Sequence, residues 1–396
     1  MDDLVLIGVD GGATKVLVHT VEILTNPLRF GVKKPLIEVS YESSPQYQPK
    51  FKPRALSTQL REHKANKVKP GPEEKQQELA ILDSFTKAIC SLTTPNDNRE
   101  FVIGVGLPGL KTPKKRGISA MANGPRMPQF LNNLEKRLKA AGFDNLHPIH
   151  AIGSDADYCG LGEHWGDAGA MRDIASAYYI GIGTGVADAL LLQDKMVAFD
   201  DIKPWMAKTW EMMFSETESY ENMVSAQGIQ RRYAALTDTT LEDLNAAHVY
   251  PWQIFERALD GEETAVQIAG ETCEALAELL YQRIRTLAVG NPDTILVDAK
   301  RKLTAEHEYL GLVFERIVIG QRLGDIWQFE DFKPVFREVI EDRLGRRLFE
   351  SDLSPEIKMA YLTNTNRLRD DLIIASRLRH APALGAAVDA YLHWIG

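Results

Sequence analysis

The chain has 396 residues, 44% apolar and 26% charged, with a formal net charge of −9. That length suggests two or more domains, and the acidic balance argues against a nucleic-acid-binding surface. No apolar run approaches about 18 residues, so no membrane span is expected.

Residues 4–20 read as strand, tight turn, strand: an apolar run to Val9, then Asp10-Gly11-Gly12, then a second β-rich run from Val16. Glycines let a backbone approach a ligand closely and turn its amides onto phosphate oxygens. Thr14 and Lys15 add a hydroxyl and a charge, and Asp10 stands where a magnesium ion or its water could be held. Taken alone, the pattern is equally that of an ordinary hairpin. It is neither a P-loop nor a dinucleotide-binding fingerprint, since a strand follows the glycines. The first strand, from Leu4, begins almost at once, so no signal peptide is expected.

A third strand is expected over 36–41. Residues 43–74, rich in proline, glutamine, lysine and arginine, read as a polar insertion, either a mobile loop or a partner-docking flap. Helical spacing follows over 73–92, and 101–107 is a buried strand ending in Pro108-Gly109. A connecting loop over 111–128 contains Asn123-Gly124-Pro125, and a helix spans 128–142. A short strand at 150–152 leads to Ser154-Asp155-Ala156-Asp157 and a helix from Tyr158, on which Glu163 reads as a solvated residue. At 174–192 the strand–glycine turn–strand pattern returns around Gly183-Thr184-Gly185, as if two related lobes each supplied one phosphate-binding hairpin. Residues 201–219 are irregular, and their tryptophans and methionines suit packing. Helices are expected at 220–235, 251–259, 262–290, 332–344 and 382–392, and strands at 295–297 and 316–319. Strands alternating with helices indicate an α/β architecture. Cys90, Cys159 and Cys273 are odd in number and far apart, which suits buried thiols in a reducing cytoplasm rather than disulfides or a zinc knuckle.

Several stretches, in one order, together resemble the ROK family of sugar kinases: GVDGGATK at 8–15, 104–110 with Asn123-Gly124-Pro125, SDADYCGLGE at 154–163, GIGTGVADALLL at 181–192, RIVIGQRL at 316–323 and ALGAA at 383–387. The DGGATK form is also similar to the N-acetylglucosamine-kinase and activator-ATPase branch of the same superfamily. The resemblance implies a two-lobed actin-like ATPase (ribonuclease H-like) fold with a central cleft. The N-terminal lobe would span 1–122, joined by a C-terminal helix at 381–396, and a larger lobe would span 123–380.

The resemblance also implies roles. Asp155 would be the catalytic base. Asp10, Gly11, Gly12, Thr14, Lys15, Gly183, Thr184 and Gly185 would bind ATP phosphates, with Asp10 at Mg2+. Gly320 and Gln321 would line the adenosine pocket, and Gly109, Asn123, Ser154 and Glu221 would touch the sugar. The implied activity is an ATP-dependent phosphotransfer to a hydroxyl of a hexose or amino sugar. Independently of the resemblance, the scattered cysteines point to the cytoplasm and to no structural zinc, and the charge and hydropathy to no nucleic acid and no membrane; a homodimer stays open. Without the resemblance, Asp155 is also a fitting acid for the start of a helix. An actin-like ATPase acting on a protein partner and a non-catalytic sugar-binding relative stay open as alternatives. The chain departs from the family at Ser154 (usually asparagine), Asp188 and Gln321 (usually glycines), and in lacking the E-x-x-H segment and the zinc-loop cysteines.

Overall fold

The computed structural model describes residues 3–93 and 98–396. The chain begins with an antiparallel meander of β1 (Leu4–Gly11), β2 (Lys15–Thr25) and β3 (Leu28–Ser40). Next come α1 (Leu56–Lys64), α2 (Pro72–Cys90), β4 (Glu100–Gly106), the small hairpin β5 (Leu110–Lys111) and β6 (Ile118–Ala120), α3 (Phe130–Ala140), β7 (Ile152–Gly153) and α4 (Asp155–Trp165). The sheet order is β3-β2-β1-β4-β7, with β1, β4 and β7 parallel. Buried on both faces, β1 is a near-continuous apolar run, as central parallel strands are. Val5, Ile7 and Val9 share a core with Phe85, Ile89 and Leu134 of α2 and α3.

On the opposite face Gly8 and Gly104 lie directly under the last helix, α13 (Ala381–Ile395). A Cβ at either glycine would run into the backbone carbonyl of Ala383 or Ala386. Gly162 of α4 and Gly385 of α13 allow an equally close helix–helix approach. The small residues of α13 are therefore a requirement of packing distance.

A second sheet repeats this plan. β8 (Ala177–Ile182), β9 (Val186–Leu192) and β10 (Lys195–Val197) form a meander. After the helices α5 (Tyr220–Val224), α6 (Ala226–Leu236), α7 (Leu241–Ala246), α8 (Pro251–Leu259) and α9 (Glu263–Val289), β11 (Arg316–Gly320) adds in parallel. The order is β10-β9-β8-β11-β12, completed by α10 (Gln321–Gln328), α11 (Arg337–Glu350), α12 (Pro355–Tyr361) and β12 (Ile373–Ala375). Tyr178, Ile180 and Ile182 meet Leu276, Leu280 and Ile284 of α9 in its core.

Contacts divide the chain into one unit running to Gly169 and including His380–Gly396, and another spanning Ala170–Arg379. The first unit thus reaches beyond the boundary expected at residue 122, because β7 pairs with β4 and α4 packs on α13.

Several other sequence expectations differ from the structure. The 43–74 insertion, read as a mobile loop or flap, carries α1 and buried anchors. Residues 295–297 form no sheet strand: Leu296 makes one bridge to Met212, while Ile295 and Val297 are exposed. The helix expected over 220–235 breaks at Ser225, which caps α6 by accepting from the Gly228 amide. The helix expected from residue 332 begins only at Arg337, after Pro334, whose ring lacks the amide a helix needs. Glu163 is fully buried on α4 rather than solvated.

Candidate functional site

In the first unit, strand register brings the ends of three parallel strands together: Asp10 is level with Gly106, and Gly106 with Gly153. The carboxyl ends of parallel strands are where open α/β sheets bind ligands. Beyond Gly11 the chain turns through Gly12, Ala13 and Thr14, closed by a hydrogen bond from the Gly12 amide to the Lys15 carbonyl (2.8 Å). Tyr41, invisible as a site residue in the sequence, holds this turn from below. Its hydroxyl donates to the Gly12 carbonyl (3.0 Å) and its amide to the Thr14 carbonyl (2.9 Å). Gly11 is needed because a Cβ there would strike Leu107 and the Phe85 ring. Ala13, Thr14 and Lys15 are exposed, and the Lys15 ammonium pairs with Glu38 across the β2–β3 ladder (2.7 Å).

Asp10 is half-buried beside this turn. Burial, reinforced by the Asp155 charge, pushes its carboxyl up to about 7. Asp155 opens α4 directly after β7, and the extended Ser154 precedes it without a side-chain cap. The junction is built by Tyr158, whose ring fills the space a Cβ on Gly153 would take. Its hydroxyl donates to Asp389 of α13 (2.9 Å). Asp157 lies in the same first turn of α4.

Gly109, at φ +96°, lies against the Ala120 carbonyl, so the loop after β4 packs onto the end of β6, next to the turn holding Asn123. Asn123 is exposed. Sequence reading gave no sign of what flanks it: Gln59 of α1 bonds the Met121 backbone, and the buried Arg126 bonds Glu74.

In the second unit, Gly183, Thr184 and Gly185 form the matching turn, closed from the Gly183 amide to the Gly185 carbonyl (3.0 Å). Its surroundings differ. Glu221, at the start of α5, accepts a hydrogen bond from the Val186 amide (3.0 Å), which draws its carboxylate against Gly185. Burial pushes that carboxyl up, and the Asp188 charge adds to the effect. Gly320 ends β11 level with Gly181. Gln321 follows at φ +61°, the left-handed region that favours glycine, with its side-chain amide against Gly181 and Gly183.

Asp188, which stands where glycine was expected, does not face the turn. It is buried and accepts from Tyr178 (2.5 Å), the Thr209 amide (2.8 Å) and hydroxyl (2.6 Å), and Arg283 (3.0 Å). Every strong partner it needs is inside the core, so this acid is structural.

The predicted residues therefore fall in two groups: Asp10, Gly11, Gly12, Thr14, Lys15, Gly109, Asn123, Ser154 and Asp155 on the first unit, and Gly183, Thr184, Gly185, Glu221, Gly320 and Gln321 on the second. Among the described residues no group of three or more histidine, cysteine, aspartate or glutamate side chains is arranged to hold a metal ion. Asp10 and Asp155 are two carboxylates whose charges oppose each other, a donor pair that suits a hard cation bringing its own waters or phosphate oxygens.

No family model and no curated protein matches the sequence. Solved structures do match. A ROK family glucokinase from Streptomyces griseus, in complex with glucose and AMPPNP, is similar over 98% of this chain and 99% of its own, at 15% identity and TM-score 0.57. A ROK hexokinase from Thermus thermophilus is similar over 99% of both chains, at 14% identity and TM-score 0.56. A ROK family transcriptional regulator, a homologue of the E. coli Mlc protein, is similar over 98% of this chain and 78% of its own, at 12% identity and TM-score 0.56. The fold is that of the ROK sugar kinases, the two-lobed actin-like ATPase fold.

Proposed function

We propose that the chain is an ATP-dependent sugar kinase that phosphorylates a hydroxyl of a hexose or amino sugar. The observation that carries this reading is the repeated sheet with a glycine turn after the central strand in each unit, together with Asp10 and Asp155 beside the first turn. Phosphoryl transfer asks little covalent work of a protein; it asks for positioning and for charge stabilisation. In this reading the Asp155 carboxylate accepts the proton of the acceptor hydroxyl as the oxygen attacks the γ-phosphorus. The bond from that phosphorus to the β–γ bridging oxygen breaks, and ADP leaves. The turn amides hold phosphate oxygens, and Asn123 with Gly109 orients the sugar. Mg2+, held through Asp10, would neutralise charge on the phosphates. A sugar-binding relative without turnover is the second reading, supported by the Gln321 and Glu221 side chains lying on the second turn.

A panel of sugars with ADP release as readout separates the two. For the best substrate, Asp155→Asn should lower kcat by roughly 10²–10⁴-fold, the usual worth of a positioned base, with little change in sugar KM. Asp157→Asn should turn over normally. Turnover surviving in Asp155→Asn would remove the base from this reading, and saturable sugar binding with no ADP release would favour the second.

A further inference from the structure

Residues 43–74 have no role in the reading above, yet the structure ties them to the loop that carries Asn123. Gln59 of α1 is fully buried and uses its whole amide. Its Oε1 accepts from the Met121 amide (2.8 Å), while its Nε2 donates to the Met121 carbonyl (3.1 Å) and to the Arg54 carbonyl (2.7 Å). Five residues on, the equally buried Arg126 is gripped by the same segment. It donates to both carboxylate oxygens of Glu74 (2.7 and 2.6 Å) and to the Lys69 carbonyl (3.1 Å), and it pairs with Glu62. Nearby, His63 of α1 bonds the Ser119 hydroxyl of β6 (2.8 Å). The turn over 122–125 is thus fixed at both shoulders, Met121 and Arg126, by one segment more than 50 residues away in sequence.

Buried ion pairs and saturated amides add little net stability compared with apolar packing; what they supply is a fixed position. We infer that the 43–74 segment is a positioning element for the acceptor side of the site, with Gln59 setting the Asn123 turn and thereby the affinity for the acceptor. The inference rests on Asn123 as an acceptor contact, and the test separates the two.

Gln59→Leu keeps the volume and removes every hydrogen bond. Gln59→Glu, a near-isostere, keeps an acceptor for the Met121 amide and serves if the leucine variant does not fold. Leu134→Ala, a cavity in the α3 core, controls for general destabilisation. Amide hydrogen exchange and steady-state kinetics are measured for each. In Gln59→Leu the Met121 amide should exchange at least tenfold faster, and sugar KM should rise about tenfold. The kcat and the KM for Mg·ATP should stay within twofold, and Leu134→Ala should leave sugar KM unchanged. Gln59→Glu should shift sugar KM in the same direction by less. An active enzyme whose sugar KM ignores Gln59, or whose Met121 amide stays protected, overturns the inference and leaves the kinase reading standing. A wild type that binds sugar without turnover fails the kinase reading; calorimetric sugar affinity then replaces KM, and a tenfold loss in Gln59→Leu still supports the inference. A wild type that binds none of the sugars overturns both.

Discussion

The two glycine turns occupy corresponding places in their sheets and differ in what covers them. Each closes the hairpin that follows the central strand of a five-stranded sheet of corresponding order. At the first, Asp10 lies beside the turn, pushed up by burial and by the Asp155 charge. At the second, the buried acid Asp188 is fully bonded inside the core, while Glu221 and Gln321 lie on the turn itself. Sheet topology therefore fixes where a phosphate could be held, and side chains arriving from other elements decide whether that place is open. A glycine motif in a sequence reports only the first of these.

Three substitutions sharpen or break the comparison. Asp188→Ala should cost the most, about 3–5 kcal/mol, because it leaves the Arg283 guanidinium buried without its charge partner. Urea unfolding measures it. A stable variant that has lost nucleotide affinity would instead make Asp188 a functional acid and bring the two turns into line.

Asp10→Asn should act in the opposite sense. The folded-state value near 7 lies above the ordinary 3.8, so the ionised carboxylate costs stability. That cost is absent below about pH 4, grows as pH rises towards 7 and is complete above it, reaching at most about 4 kcal/mol. In the absence of nucleotide and metal, the variant should be more stable than the parent at pH 8 and equal to it near pH 4, while its Mg·ATP affinity falls. Equal stability at pH 8 would mean that the charge is already compensated.

Gln321→Gly should have the smallest effect on stability, within about 1 kcal/mol, since relief of the left-handed backbone offsets the added freedom of the unfolded chain. It should raise Mg·ATP affinity severalfold by uncovering Gly181 and Gly183, as titration of the folded protein would report. Unchanged affinity would mean that the Gln321 side chain does not obstruct the turn.

What could be read from the sequence follows the range of the interaction concerned. Both hairpins were legible because apolar runs and glycines are local signals. Asp155 could be singled out but not separated from a helix-opening acid, since both uses need the same residue at the same junction. Tyr41, Gln59 and Arg126 were not legible: a buried tyrosine hydroxyl or glutamine amide acquires its meaning from a backbone group brought alongside only by the fold. Glu163 misled because helical periodicity assigns charges to water unless something long-range covers them.

The return of α13 has a consequence for how the protein is made. The second unit is spliced into the first, and Gly8 and Gly104 wait for a helix that lies more than 270 residues further on. During synthesis the face of the first sheet under α13 lacks that cover until Ala381–Ile395 has been made, whereas Ala170–Arg379 precedes that helix in the chain. Removing α13 would therefore uncover Gly8 and Gly104, in strands made long before it.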